Sequence, residues 1–239
     1  ASVTAGRQAL DYGSGAIMGS NQFAGKDADG NQLARTTWDG FNIGLDLDMA
    51  DITLGYGKVS NSVYDGVDAV DADSNGVGGV DAVAAGTTNM WINVAKGEGD
   101  WTANLLYMSK STGSADAMTA MGLDLGYAMM GGDLNLGVSY NTATGYAAED
   151  MDMLSIGATY QVNESMSISG NQTKYGENGF NVGSANMQGM NASGSLGYLG
   201  ANDQDRNFGV SYNMGDFNLG ASMHQITNTG EGALNEAYK

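Results

Sequence analysis

"RTTWDGFNIGLDLDMADITLGYGKV" (residues 35–59) alternates with a period of two through most of its length. Phe41, Ile43, Leu45 and Leu47, then Ile52, Leu54 and Tyr56, are apolar, while Asn42, Gly44, Asp46, Asp48, Asp51, Thr53 and Gly55 fall between or beside them. Successive side chains of a strand point to opposite faces, so the pattern predicts two strands, each oily on one face and polar on the other. The reversal at "DMAD" (48–51) predicts a tight hairpin between them.

The pattern recurs along the chain. Met90, Ile92 and Val94 alternate with Trp91 and Asn93, and Leu134, Leu136, Val138 and Tyr140 with Asn135, Gly137, Ser139 and Asn141. Leu123 and Leu125 flank Asp124, Ile168 follows Ser167, and Phe208, Val210, Tyr212 and Met214 oppose Gly209, Ser211 and Asn213. Phe217, Leu219, Ala221 and Met223 oppose Asn218, Gly220, Ser222 and His224. From Trp101 to Met108, around Asn104, both faces are fairly apolar. Further tight reversals fall at "KGEGD" (96–100), "MGGD" (130–133), "VNES" (162–165) and "MGD" (214–216). The alternate connections, 10–35, 61–87, 112–117, 144–149 and 176–205, are longer and more variable. Short turns at one end and long loops at the other describe an up-and-down meander, and transmembrane barrels have this asymmetry. About twelve strands are expected, in a single all-β domain over residues 1–239.

Composition decides what the oily face meets. Gly contributes 38 of 239 residues, Pro and Cys are absent, and only 15% of the chain is charged. A soluble barrel would put Lys, Glu and Arg on its polar face, whereas here that face carries Gly, Ser, Asn and Asp, which suit a crowded, wet lumen. Phe41, Tyr56, Trp91, Tyr107 and Tyr140 gather at the long-loop ends of their strands, and some of Trp101, Tyr127, Tyr160, Phe208 and Phe217 at the short-turn ends. Two aromatic girdles around an aliphatic band are expected at two lipid interfaces. No run approaches 18 consecutive apolar residues, so a spanning helix is excluded. The net charge of −18 and only nine Lys plus Arg exclude nucleic acid as a partner.

The expected fold is therefore an antiparallel transmembrane β-barrel. By parity its pore is lined by Asp46, Asp48, Asn93, Asn104, Asp124, Asn135, Ser139, Asn141, Ser167, Ser211, Asn213, Asn218, Ser222 and His224. Carboxylates there would favour cations. Arg7, Arg35 and Asp39 join this set as lumen charges, although alternation with Val3 and Ala5 turns Arg7 toward the oily face unless it ends its strand; a structural Arg7–Asp39 pair is the other reading. Ser222 and His224 share a face at a separation of roughly 7 Å, too far for proton transfer, so no catalysis is expected. Asp71, Asp73 and Asn75, inside the acidic loop 65–79, have the spacing that opens a calcium loop, but Ala82 stands where its bidentate Glu belongs. Ca2+ is the one metal expected there, against a plain acidic loop, and no other cofactor is expected. The Gly-rich loop 176–205 either folds into the pore or holds an unregistered strand pair.

Near the start, Gly6, Arg7, Gln8, Tyr12, Gly13, Gly19, Ser20, Arg35, Trp38, Asp39 and Gly40 form a pattern over roughly residues 3–48. In this it resembles the alginate-export and porin-like family of bacterial outer-membrane barrels. The resemblance implies a passive channel, no enzyme activity, and a multi-pass place in the bacterial outer membrane. Alginate exporters line their pores with arginines, whereas this chain has three Arg and an excess of acid, so a polyanion is not the expected cargo. The family's barrels are also larger, and "EGALNEAYK" lacks a closing aromatic strand, which reads as a small relative or an incomplete chain. The expected function is diffusion of small hydrophilic solutes with a cation preference. The alternative is a structural or surface-interaction protein with a plugged or narrow barrel and acidic, ion-binding loops. Outer-membrane lipid and small solutes or cations are the expected partners, with a homo-oligomer left open.

Overall fold

Among the described residues eleven strands form in chain order: β1 (Ser2–Gln8), β2 (Arg35–Leu47), β3 (Ala50–Ser62), β4 (Thr87–Glu98), β5 (Trp101–Thr112), β6 (Met118–Met129), β7 (Leu134–Thr144), β8 (Met151–Asn163), β9 (Met166–Tyr175), β10 (Asp203–Met214) and β11 (Phe217–Asn228). The computed structural model describes residues 1–19, 35–62, 87–112, 117–180, 182, 200–215 and 217–230. Every strand pairs antiparallel with the next in one sheet. The β2–β3, β4–β5, β6–β7, β8–β9 and β10–β11 connections are short, and the intervening ones long, so all short turns lie at one end. From β2 to β11 the strands run 10–13 residues, about what a tilted strand needs to cross a hydrocarbon layer.

The described residues hold eleven strands, in line with the about twelve expected. Among the described residues β1 and β11 do not pair with each other, so the sheet is open along that seam. It is nonetheless strongly curved. Tyr12 reaches Thr53 on β3 and Ser14 reaches Ser139 on β7, although the two residues are nearly neighbours in the chain and the strands lie four apart. A flat sheet would separate those strands by roughly 19 Å.

The two faces differ as the alternation requires. Leu54, Ile92, Leu105, Leu123, Leu136 and Ile156 look outward and are 38–50% exposed, and Leu219 and Met223 on the edge strand more so. The alternate residues line the concave side. The oily face is the outer one.

The concave side is not uniformly wet, and this is a correction. Trp38, Trp91, Leu106, Met108, Ala120, Ala143, Met151, Met153, Tyr175 and Ile226 are buried there in one cluster toward the long-loop end. Trp91 belongs to this interior rather than to an outer girdle, at 2% exposure. Gly55 makes room for it, because a Cβ at that position would collide with the indole ring. Trp38 packs edge-on against Trp91 with ring centroids 5.3 Å apart. Outside, Phe41 stacks on Tyr56 and Trp101 on Tyr127, one aromatic pair toward each end.

Candidate functional site: the concave interior

The segment after β1 turns into the interior. Leu10, Ala16, Ile17 and Met18 join the apolar cluster, and Tyr12 N–H donates to the Met18 carbonyl (3.2 Å) to close the loop. Gly13 (φ +57°) and Gly15 (φ +74°) take left-handed conformations that only glycine adopts without strain. Gly13 is further required by contact: a Cβ there would run into the Asp124 carboxylate and stand 3.0 Å from Asn104 Oδ1. Ser139 Oγ donates to Ser14 Oγ at 3.0 Å, and Ile17 lies against Gly122.

A polar chain anchors the same segment from the other side. Asn42 donates to Gln8 (2.8 Å), Trp91 Nε1–H donates to Asn42 Oδ1 (2.9 Å), and the Tyr12 hydroxyl meets Trp91 and Thr53. Burial raises the Tyr12 pKa, and the hydrogen bonds from Trp91 and Thr53 only partly offset this. The inserted segment is thus tied to β3 and β4 through the Tyr12 hydrogen bonds, and to β5–β7 through close packing and the Ser139–Ser14 hydrogen bond.

Between this segment and the short-turn end lies a cavity of about 820 Å³. Asn104, Asp124, Asn135, Ser139, Ser155 and Asn171 are among its lining residues. Asp124 faces Asn104 on one side and Ser139 on the other. Its Oδ1, like Asn104 Oδ1 and Asn93 Oδ1, is buried without a donor among the described residues. Closer to the turns Asp46 sits directly opposite Asp51. Lys96 has its ammonium on the Asp48 carbonyl (3.2 Å) and near Glu98 (3.9 Å). The lining is negative, with acceptors in excess of donors.

Most expected pore residues occupy the concave parity: Asp46, Asn93, Asn104, Asp124, Asn135, Ser139, Asn141 and Ser167 all align by register. Ser211, Asn213, Asn218 and Ser222 share that face on β10 and β11, and Asn213, Asn218 and Ser222 remain exposed beside the open edge. Asn141 is buried and donates to Ser139 at 2.9 Å. Three placements in the pore are overturned, while the alternative reading of a structural Arg7–Asp39 pair holds. Arg7 and Asp39 lie on the outer face, paired with each other at 2.9 and 3.2 Å, because they alternate with Gln8 and Trp38. Asp48 is an exposed turn residue. Arg35 pairs with Ser62 through the backbone, and its side chain lies outside the described residues, as do Asp71, Asp73 and Asn75 and most of 176–205.

His224 makes a contact the sequence did not suggest. Its Nδ1 lies 2.8 Å from Asp205 Oδ2 and its Nε2 2.6 Å from Asn207 Nδ2 across the β10–β11 pair. The inward segment 9–18 and the methionines of the apolar cluster are the functional elements that sequence reasoning missed. The signal was present where both faces of Trp101–Met108 are apolar.

No model of a known protein family matches the chain, and no curated protein matches it.

Proposed function

We propose that the chain is a bacterial outer-membrane barrel of porin-like type, conducting small hydrophilic solutes with a preference for cations through a lumen narrowed by residues 9–18. The observation that carries this reading is the inversion of faces: leucines and isoleucines outward, asparagines, serines and aspartates inward. In water such an outer surface would be a large apolar patch, which soluble monomers avoid. Against lipid it is the expected surface. The cation preference follows from Asp46, Asp51 and Asp124 on the concave face.

A second reading has its own support. The packed cluster around Trp38, Trp91, Met108 and Met153 fills the interior toward the long-loop end, as a structural barrel with a closed lumen would. Planar-bilayer recording separates the two. The channel reading expects small, stepwise, cation-biased conductance that grows in Gly13→Ala, where the inserted segment loses its seat. Silence from both proteins, with insertion verified, supports the structural reading and overturns the channel.

A further inference from the structure

We propose that the outward-facing basic residues at the long-loop end bind the phosphates of anionic lipid headgroups. This rests on the membrane reading above and adds which lipid the outer wall selects. Arg7, Lys58, Lys174 and Arg206 are exposed and alternate onto the outer face. Each stands at the rim of the apolar band. Lys58 is the next outward position beyond Tyr56, and Arg206 the next beyond Phe208, while Arg7 pairs across to Asp39, the next beyond Phe41.

Their distribution is uneven around the sheet. They occupy β1, β3, β9 and β10, the strands toward its two edges. The corresponding outward positions of β4–β7 are Thr88, Ser109, Thr119 and Thr142. Arg206 is flanked in register by Gln172 on β9 and Gln225 on β11, so two amides stand beside a guanidinium. A phosphate has the acceptor oxygens that such a donor set fits.

The charge order along the wall argues for a headgroup layer at this level. Beyond the collar the loops carry exposed Glu149, Asp150 and Glu177, held farther from the band. At the collar itself the outward acids are Asp39, already paired with Arg7, and Asp152. At the opposite end the turns expose Asp48, Glu98, Asp100, Asp133 and Glu164 against Lys96. Among the described residues the outward basic side chains are thus gathered at one rim, whereas acids occur at both ends of a chain of net charge −18 and are most numerous in its long connections. A basic residue beside a charged leaflet gains attraction.

The test is native mass spectrometry of the full chain in neutral-detergent micelles, with phosphatidic acid and phosphatidylcholine of equal chain length supplied together. Phosphatidic acid adducts should outnumber phosphatidylcholine adducts by at least tenfold. The triple variant Lys58→Gln, Lys174→Gln, Arg206→Gln should bring the two close to parity, each charge contributing on the order of fivefold. Lys110→Gln, whose ammonium lies over the Tyr146 ring inside, should keep the preference. Inorganic phosphate should leave no adduct, which assigns the site to lipid. Equal adducts in the parent protein, or a preference that survives the triple variant, overturns the proposal while leaving the barrel reading intact. A protein that stays monodisperse without detergent overturns both.

Discussion

The two halves of the concave side share one backbone and differ in what fills them. Toward the long loops the interior holds Trp38, Met108, Met153 and Tyr175, each at 0% exposure, together with Ile17 and Met18 of the inserted segment. Toward the short turns the same strands present Thr102, Asn104, Asp124, Ser155 and Asn171 around an open cavity. On β8 the change takes a single inward step, from Met153 to Ser155. The comparison teaches that strand parity assigns a face but not the medium on it. Whether an inward position is dry depends on what else is brought to it, and here residues 9–18 seal one half.

The largest test is on that step. Met153→Asn places an amide where nothing accepts it and should cost about 2–4 kcal/mol, read as a lower urea midpoint in micelles. Ser155→Asn, one inward position away, should cost under about 1 kcal/mol because the cavity hydrates it. Equal effects would erase the distinction between the halves.

Gly13→Ala should destabilise by about 1–2 kcal/mol through the left-handed backbone alone, with the Asp124 contact adding to it. Its signature is a more exposed segment 9–18, seen as faster proteolysis there while the strands persist. Trp91→Phe removes the donor to Asn42 and leaves that carbonyl unpaired, at about 1 kcal/mol. Here the midpoint should fall without a change in m-value.

Asp124→Asn probes the wet half and should barely alter stability. Its expected readout is a reversal potential shifted toward weaker cation preference. An unchanged potential would remove Asp124 from the selectivity account. Tyr146, in the β7–β8 loop, has its pKa pushed up to about 12 by burial, and its hydroxyl has no partner among the described residues. Its folded-state pKa lies above the unfolded value, so its contribution is intact below about pH 10 and falls away as pH rises toward 12. Tyr146→Phe should therefore flatten the alkaline loss of stability, and be close to neutral at pH 7.

The alternation in 35–59 made β2 and β3 and their two faces legible, to within about two residues at their ends, because each side chain had only two directions to take. The loop asymmetry gave the end-to-end polarity for the same reason. What escaped was the identity of inward apolar residues. Reading hydrophobic as outward sent Trp91 to a girdle, though its neighbours Met90 and Ile92 already held the outer parity. For Arg7 and Asp39 the alternation with Val3 and Ala5 and the salt bridge were legible, and only their count among the lumen charges fails, because charge was equated with lumen. The inserted segment has no period at all, and its position follows from long-range contacts to Trp91, Asp124 and Ser139 that local pattern does not encode.

The chain has no cysteine, so single cysteines can be introduced cleanly. Spin labels at Leu123, Leu136 and Ile156, compared with labels at Asn135 and Ser155, measure which face meets lipid in reconstituted vesicles. The account predicts that dissolved oxygen relaxes the first three more than a water-soluble nickel chelate does, with the order reversed at the other two. Chelate access dominating at Leu123, Leu136 and Ile156 would contradict it.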